Sequence, residues 1–459
     1  MGRSSRSHEM DMCNGPLLSK LIVFAIPVML SGVLQLFFNA ADVVVVGRFA
    51  GKEALAAVGS TSSLINLLVN LFVGLSVGTN VLVARFYGAN NAKDVEETVH
   101  TSVFMAVISG IILIFIGFFF TRPILVLMGS PSDVLPLSAV YLKIYFLGMP
   151  AMMLYNFGAA ILRAIGDTKR PMIYLTIAGV VNVILNLIFV IPLHLSVVGV
   201  ALATTISQCI SAALVIIALI REEGYCKLDV KKLRVNRHKL FMLLKVGLPA
   251  GMQGCIFSIS NVLIQSSVNS FNSTVMAGNT AGSSIEGFVY VSMNAFHQTA
   301  VSFTSQNYGA KKIKRIRKIL LYCVIMVSVV GLTVGNCAYL FSGALLKLYT
   351  KGDPAAVAEI IKYGQLRMLY ICTPYFLCGI MDTLVGIIRG LGYSIMPMIV
   401  SLLGACAFRV VWIFTIFAHM HTLPVLYISY PISWALTALA HSICLMIVWN
   451  KVKRKMEEA

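Results

Sequence analysis

The chain has 459 residues, 58% of them hydrophobic and only 12% charged, where a soluble domain carries roughly 25% charged residues. With a mean hydropathy of +0.86, that deficit excludes a soluble fold and makes the lipid bilayer the solvent in which this chain folds. The net charge of +18 would suit a nucleic-acid partner, but the positions of the 36 Lys and Arg residues argue for membrane topology instead.

A hydrocarbon core of about 30 Å needs roughly 20 apolar residues per spanning helix. Runs of that length predict helices over 18–46, 54–84, 95–119, 135–158, 171–192, 197–220, 240–270, 275–306, 315–341, 357–387, 395–418 and 424–449, twelve in all. The runs are continuous and rich in Leu, Ile, Val and Met, whereas barrel strands alternate over about ten residues, so the expected class is an all-α membrane protein. The first run, from Leu17, is too long for a signal peptide and lacks a small-residue cleavage pattern, so it is expected to stay as the first helix.

Basic residues fall mostly in alternate loops: Arg85, Lys93, Arg163, Lys169, Arg170, the run from Arg221 to Lys245, the cluster from Lys311 to Lys318, and the tail from Lys451 to Lys455. The opposite side holds little beyond Arg48, Lys52, Arg122, Lys347 and Lys351. By the positive-inside rule the chain is expected to be a multi-pass inner-membrane protein with both termini cytoplasmic, contacting anionic lipid and no nucleic acid. Ten cysteines, without C-x-x-C pairs, read as small core residues.

The polar stretch 221–239 divides the chain into a bundle of six helices over 1–220 and a second over 240–459. An internal repeat agrees: Ile161–Gly166 and Pro171–Ile173 return as Ile387–Gly392 and Pro397–Ile399 at an offset of 226 residues, Tyr87–Ala89 returns as Tyr308–Ala310, and Pro27 as Pro249. An even number of helices per copy makes this a parallel repeat, with a shared cavity expected between the halves and transport by rocking of one against the other. Pro27 and Pro249 remove backbone hydrogen bonds within long helices and are candidate hinges.

Ionisable residues inside a membrane are costly and mark function by default. Asp42 in the first helix, Glu286 in the eighth and Asp382 in the tenth are the candidates; the repeat partner of Asp382 is Asn156. Buried carboxylates either favour protonation or bind a cation, and competition for one charge is the simplest antiport. Asn182 and Asn186, spaced i,i+4 on the fifth helix, and Thr204 on the sixth could coordinate a cation beside Asp42, or simply hydrogen-bond between helices. Glu286, Asp382, Asn156 and Gln35 are the candidate substrate or coupling positions. Asp382 could instead pair with Arg389, two turns on; His297, His441 and Arg409 lie inside spans without a spacing that singles them out. No phosphate-binding loop, zinc pair or nucleophile elbow is present, so the chain is not expected to be an enzyme or to carry a cofactor.

Pro27, Asp42, Val46-Gly47-Arg48, Ala54-Leu55-Ala56-Ala57-Val58-Gly59, Leu162-Arg163, Gly166-Asp167-Thr168-Lys169, Pro171, Gly199, Ala203-Thr204, Ser207-Gln208 and Arg389-Gly390-Leu391-Gly392 together resemble the multidrug and toxic compound extrusion (MATE) transporters over nearly the whole chain. The resemblance implies a V-shaped pair of six-helix bundles that exchange Na⁺ or H⁺ for small organic compounds, often cationic; separately, the chain is expected to function as a monomer. It also implies a cation site of Asp42, Asn182 and Thr204, which would hold Na⁺ if Na⁺ is the coupling ion. The family pattern has an Asp where this chain has Asn186, so one carboxylate stands where two are expected. The alternative within the same superfamily is a lipid-linked oligosaccharide flippase, which would want a cavity lined by Arg and Lys. The candidates here are mostly acidic and amide, which favours export of drugs or metabolites. A channel would need a filter motif that the two-lobed repeat does not supply.

Overall fold

Inside hydrocarbon every backbone N–H and C=O must be satisfied within its own segment, so the apolar runs become helices. The computed structural model describes residues 9–127, 132, 134–350 and 353–458 and contains no strand among them. The first half comprises α1 (Leu17–Phe49), α2 (Lys52–Gly88), α3 (Ala92–Phe119), α4 (Thr121–Leu127), α5 (Leu135–Leu147), α6 (Met149–Ala164), α7 (Lys169–Val190) and α8 (Ser196–Ile220). The second comprises α9 (Arg237–Asn269), α10 (Ser273–Gly309), α11 (Ile313–Leu340), α12 (Ser342–Lys347), α13 (Pro354–Ile371), α14 (Tyr375–Gly390), α15 (Ile395–Ser401), α16 (Phe408–Trp412) and α17 (Leu423–Glu457). Two π-helical stretches, Leu402–Ala407 and Ile413–Phe417, flank α16 and make 395–417 one continuous rod.

Nine described segments are long and apolar enough to cross a bilayer alone, and the bent pairs α5–α6 and α13–α14 bring the number to 11. The twelfth predicted span is α10, which has 37 residues but carries Asn279, Glu286, Asn294, Gln298 and Gln306 along its length. The two bends, 46° and 45°, replace the straight helices expected over 135–158 and 357–387. Pro150 follows Gly148 at one break and Pro374 caps the helix after the other; proline supplies no N–H to the preceding turn.

The repeat extends to element lengths. α1 and α9 each have 33 residues, α2 and α10 each 37, and α3 and α11 each 28. Backbone turns repeat too: Gly166 and Gly392 have φ of 92° and 91°, in the left-handed region that glycine enters without strain.

Contacts divide the chain into two compact units, one of residues up to Asp11 plus Leu30–Gly251, the other of Met12–Met29 plus Met252 onward. The borders fall inside α1 and α9. Pro27 lies two residues before one border and Pro249 two before the other, each within an unbroken helix. In the first unit the start of α9 lies against α2 through two Gly-x-x-x-Gly pairs, Gly74/Gly78 and Gly247/Gly251. A Cβ on Gly74 would sit 2.2 Å from the Gly251 Cα, and one on Gly247 would sit 2.7 Å from the Leu75 Cα. Such small-residue stripes let helix backbones approach closely in membranes. In the second unit the start of α1 lies on α10, where Phe24 meets Phe303 edge to face at 5.4 Å.

Candidate functional site

Gly179 on α7 leaves no room for a side chain: a Cβ there would lie 1.9 Å from the Phe38 ring of α1. That close approach brings the next turns of the two helices together. One turn beyond Phe38, Asp42 accepts a hydrogen bond from the Asn186 amide. The same Asn186 Nδ2 donates to Asn182 Oδ1 at 3.3 Å, and Asn182 Nδ2 donates to Thr204 Oγ1 on α8 at 3.4 Å. The Thr204 hydroxyl in turn donates to the Val200 carbonyl at 2.9 Å. All four sequence-identified residues therefore form one connected chain across α1, α7 and α8.

Two buried side-chain oxygens at the site accept no hydrogen bond. Asn186 and Asn182 are buried, and Asn186 Oδ1 has no hydrogen-bond partner. Gln208 Oε1 on α8 is likewise buried and unpartnered, while the Gln208 side chain hydrogen-bonds Tyr145. Tyr141 and Tyr145, stacked at 5.9 Å on α5, lie within electrostatic reach of Asp42. The sequence reading did not name them. Their i,i+4 spacing on a predicted span was the available signal.

The remaining candidates are placed elsewhere. Gln35 is exposed on α1, and half-buried Asn156 donates to the Met152 carbonyl of its own helix at 2.9 Å. Glu286 is paired with Arg367 of α13, and Tyr375 donates to its other oxygen at 3.5 Å. Arg367 also donates to Asn279 at 2.7 Å, so this carboxylate is held in an ion pair inside the second unit. Arg367 was not named from the sequence, although an Arg in the middle of a predicted span was itself a signal.

Asp382 makes no ion pair among the described residues. Its carbonyl meets His297 Nδ1 at 2.7 Å, and its carboxylate lies within electrostatic reach of Arg389. The Arg389 guanidinium instead donates to Gln253 at 2.7 Å, Gln253 donates to the Ser401 hydroxyl at 3.2 Å, and that hydroxyl meets His441 Nε2 at 3.0 Å. The second unit thus contains buried arginine beside its carboxylates, more basic than the acid-and-amide lining expected from the sequence.

A family model described as MatE matches residues 27–188 and 249–415. The chain is 28% identical over 440 residues to a probable multidrug resistance protein, YoeA, of Bacillus subtilis, covering 94% of this chain and 93% of the relative. It is 24% identical over 387 residues to a probable multidrug resistance protein, NorM, of Thermotoga maritima, covering 83% and 82%. A solved outward-facing structure of a multidrug resistance transporter superimposes with a TM-score of 0.89 at 22% identity, over 96% of this chain and 98% of that one, which shows a common fold.

Proposed function

This chain belongs to the MatE family, and from that premise we propose that it is a cation-coupled antiporter exporting small organic compounds, drugs or metabolites, by alternating access. It is a multi-pass membrane transporter and not an enzyme. The names of its relatives as probable multidrug resistance proteins support export as the direction of transport.

The observation that carries the coupling reading is the chain of hydrogen bonds from Asp42 through Asn186 and Asn182 to Thr204. Na⁺ prefers carboxylate, amide and hydroxyl oxygens, and the unpartnered Asn186 Oδ1 is an acceptor awaiting a positive partner. H⁺ would need only the carboxylate. In either case one charge arrives at Asp42, and a cationic substrate in the same unit would leave as that charge is neutralised. With Asn186 beside it, Asp42 is the sole carboxylate of the chain of four, so one elementary charge per cycle is the expected stoichiometry.

Pro27 and Pro249, each two residues before a border between units, are the proposed hinges. The distribution of basic residues supports placement in the inner membrane with both termini cytoplasmic. The transporter is proposed to act as a monomer among membrane lipids, with the coupling ion as its only cofactor and no nucleic-acid partner.

The test is efflux of a fluorescent organic cation from proteoliposomes, with Na⁺ and pH gradients imposed separately. Efflux driven by one gradient and abolished by Asp42→Asn supports the reading and names the ion. Efflux driven by neither gradient overturns the antiport reading and turns attention to a flippase.

A further inference from the structure

Three buried arginines, Arg367, Arg389 and Arg409, lie in the second unit, against two intramembrane carboxylates. Arg367 takes Glu286, and Asp382 lies within electrostatic reach of Arg389. Arg409 has neither. It is 3% exposed, and its guanidinium donates from Nε to the Ser433 hydroxyl of α17 at 2.9 Å, while Nη2 is sealed without a partner. An always-charged group with five donors, left without an acid among the described residues inside an apolar span, is expensive, and such residues mark ligand paths.

Its surroundings are built for a planar cation. The guanidinium lies 4.2 Å from the centre of the Tyr430 ring and 5.8 Å from that of Trp434. Trp434 in turn meets Tyr375 at 5.0 Å, and Tyr375 leads back to Glu286. Aromatic faces hold the guanidinium without neutralising it, so its charge and its unpartnered Nη2 are left for an acidic group. Five-residue α16, which carries Arg409, sits between two π-helical stretches, a backbone irregularity that recurs at functional sites.

We propose that Arg409 is the counter-charge for a carboxylate or phosphate on a small organic ligand taken up by the second unit between α16 and α17. The inference rests on the export reading in one respect: the ligand is a transported compound. It adds a substrate class, organic acids or zwitterions, to the cations that Asp42 would serve.

The full-length protein in uncharged detergent tests this directly. The chain has three tryptophans, and a Trp412→Phe/Trp449→Phe background leaves Trp434 as a reporter beside Arg409. The probes are 4-nitrobenzoate and 4-nitrophenyl phosphate, with 4-nitrobenzamide as the uncharged counterpart. Saturable quenching by the two anions, weakened about tenfold or more in Arg409→Gln and less in Arg409→Lys, is the expected result. Anions that quench no better than the amide overturn the proposal, as does equal affinity in wild type and Arg409→Gln. If Arg409→Gln does not fold, Arg409→Lys decides, because it keeps the charge and loses the fork; unchanged anion affinity then overturns the proposal. Binding needs no ion gradient, so the two readings fail separately. Arg409-dependent binding without efflux overturns export alone, and gradient-driven efflux without such binding overturns this inference alone.

Discussion

The Asp42 carboxylate on α1 and the Asn186 amide on α7 are 144 positions apart in sequence and directly hydrogen-bonded. The bond depends on Gly179, whose missing side chain admits Phe38 and sets the two helices close enough for the next turns to touch. A helix pair spaced by one extra methyl would part the donor from the acceptor. Gly179→Ala should therefore impair ion coupling although it touches neither Asp42 nor Asn186.

Exchanging the two functional groups separates charge from geometry. Asp42→Asn should lower gradient-driven efflux about tenfold or more, with normal amounts of folded protein in the membrane. Asn186→Asp should keep efflux but add a second carboxylate, and with it a second coupling charge per cycle. Current measured across proteoliposomes on a solid support reads that charge; an unchanged charge-to-substrate ratio would remove Asn186 from the ion site.

The ion pair of Glu286 with Arg367 predicts a different outcome for the second unit. Removing one partner of a buried pair strands the other, at about 3–5 kcal/mol, whereas replacing both by neutral groups costs far less. Arg367→Met should thus unfold well below wild type in a fluorescence melt, and Glu286→Gln/Arg367→Met should recover most of the loss. Asp382 lacks such a partner, so Asp382→Asn should instead leave stability nearly intact and alter ion dependence. Equal destabilisation by Glu286→Gln and Asp382→Asn would contradict the distinction.

Periodicity reveals what lies on one helix, and tertiary packing chooses its partners across helices. Asn182 and Asn186 were legible because i,i+4 places them on one face whatever surrounds them. Asp42 was legible because a carboxylate in an apolar run has few reasons to be there. The partner of Glu286 was not, since Arg367 lies 81 positions away on a helix whose rotation no local pattern sets. The bends before α6 and α14 were missed for another reason: hydropathy averages over the Gly148 and Pro374 breaks, where the apolar run continues but the helical hydrogen bonds do not. The borders at Met29 and Gly251 were invisible because they divide helices whose composition does not change there.

Cys226 offers a probe of the segment between α8 and α9, outside the spans. The residue is 1% exposed; burial, with Glu9 and Glu222 adding negative charge, holds its thiol well above the ordinary thiol range. Thiolate is the reactive species, so a variant with Cys226 as its sole cysteine should label with maleimide at pH 8 about a hundredfold more slowly than the unfolded chain. Arg170 bonds both Asp167 and Glu222, the latter at 2.8 Å, and pins this segment to the start of α7. Arg170→Ala should accelerate labelling; an unchanged rate would show that the segment is held by its other contacts alone.

The α2 and α9 crossing sets backbone directly against backbone in the first unit, and glycine substitutions grade it. A Cβ on Gly251 would lie 2.1 Å from the Leu71 carbonyl oxygen, a backbone atom that no side-chain rotation can move. Gly59 on the same α2 meets nothing within 4 Å. Gly59→Ala should therefore be neutral or stabilising by up to about 1 kcal/mol, the ordinary helix-propensity gain. Gly251→Ala must separate two backbones and should cost about 1–3 kcal/mol, read as a lower melting temperature. Because Gly251 also follows Pro249 by two residues, a substitution there acts next to the proposed hinge. If Gly251→Ala melts like wild type but transports more slowly, the crossing is a moving contact and not a fixed one. If both properties fall together, the glycines serve packing first. If neither falls, the close approach of the two helices is not maintained in the membrane, and the division of α9 between the two units loses its support.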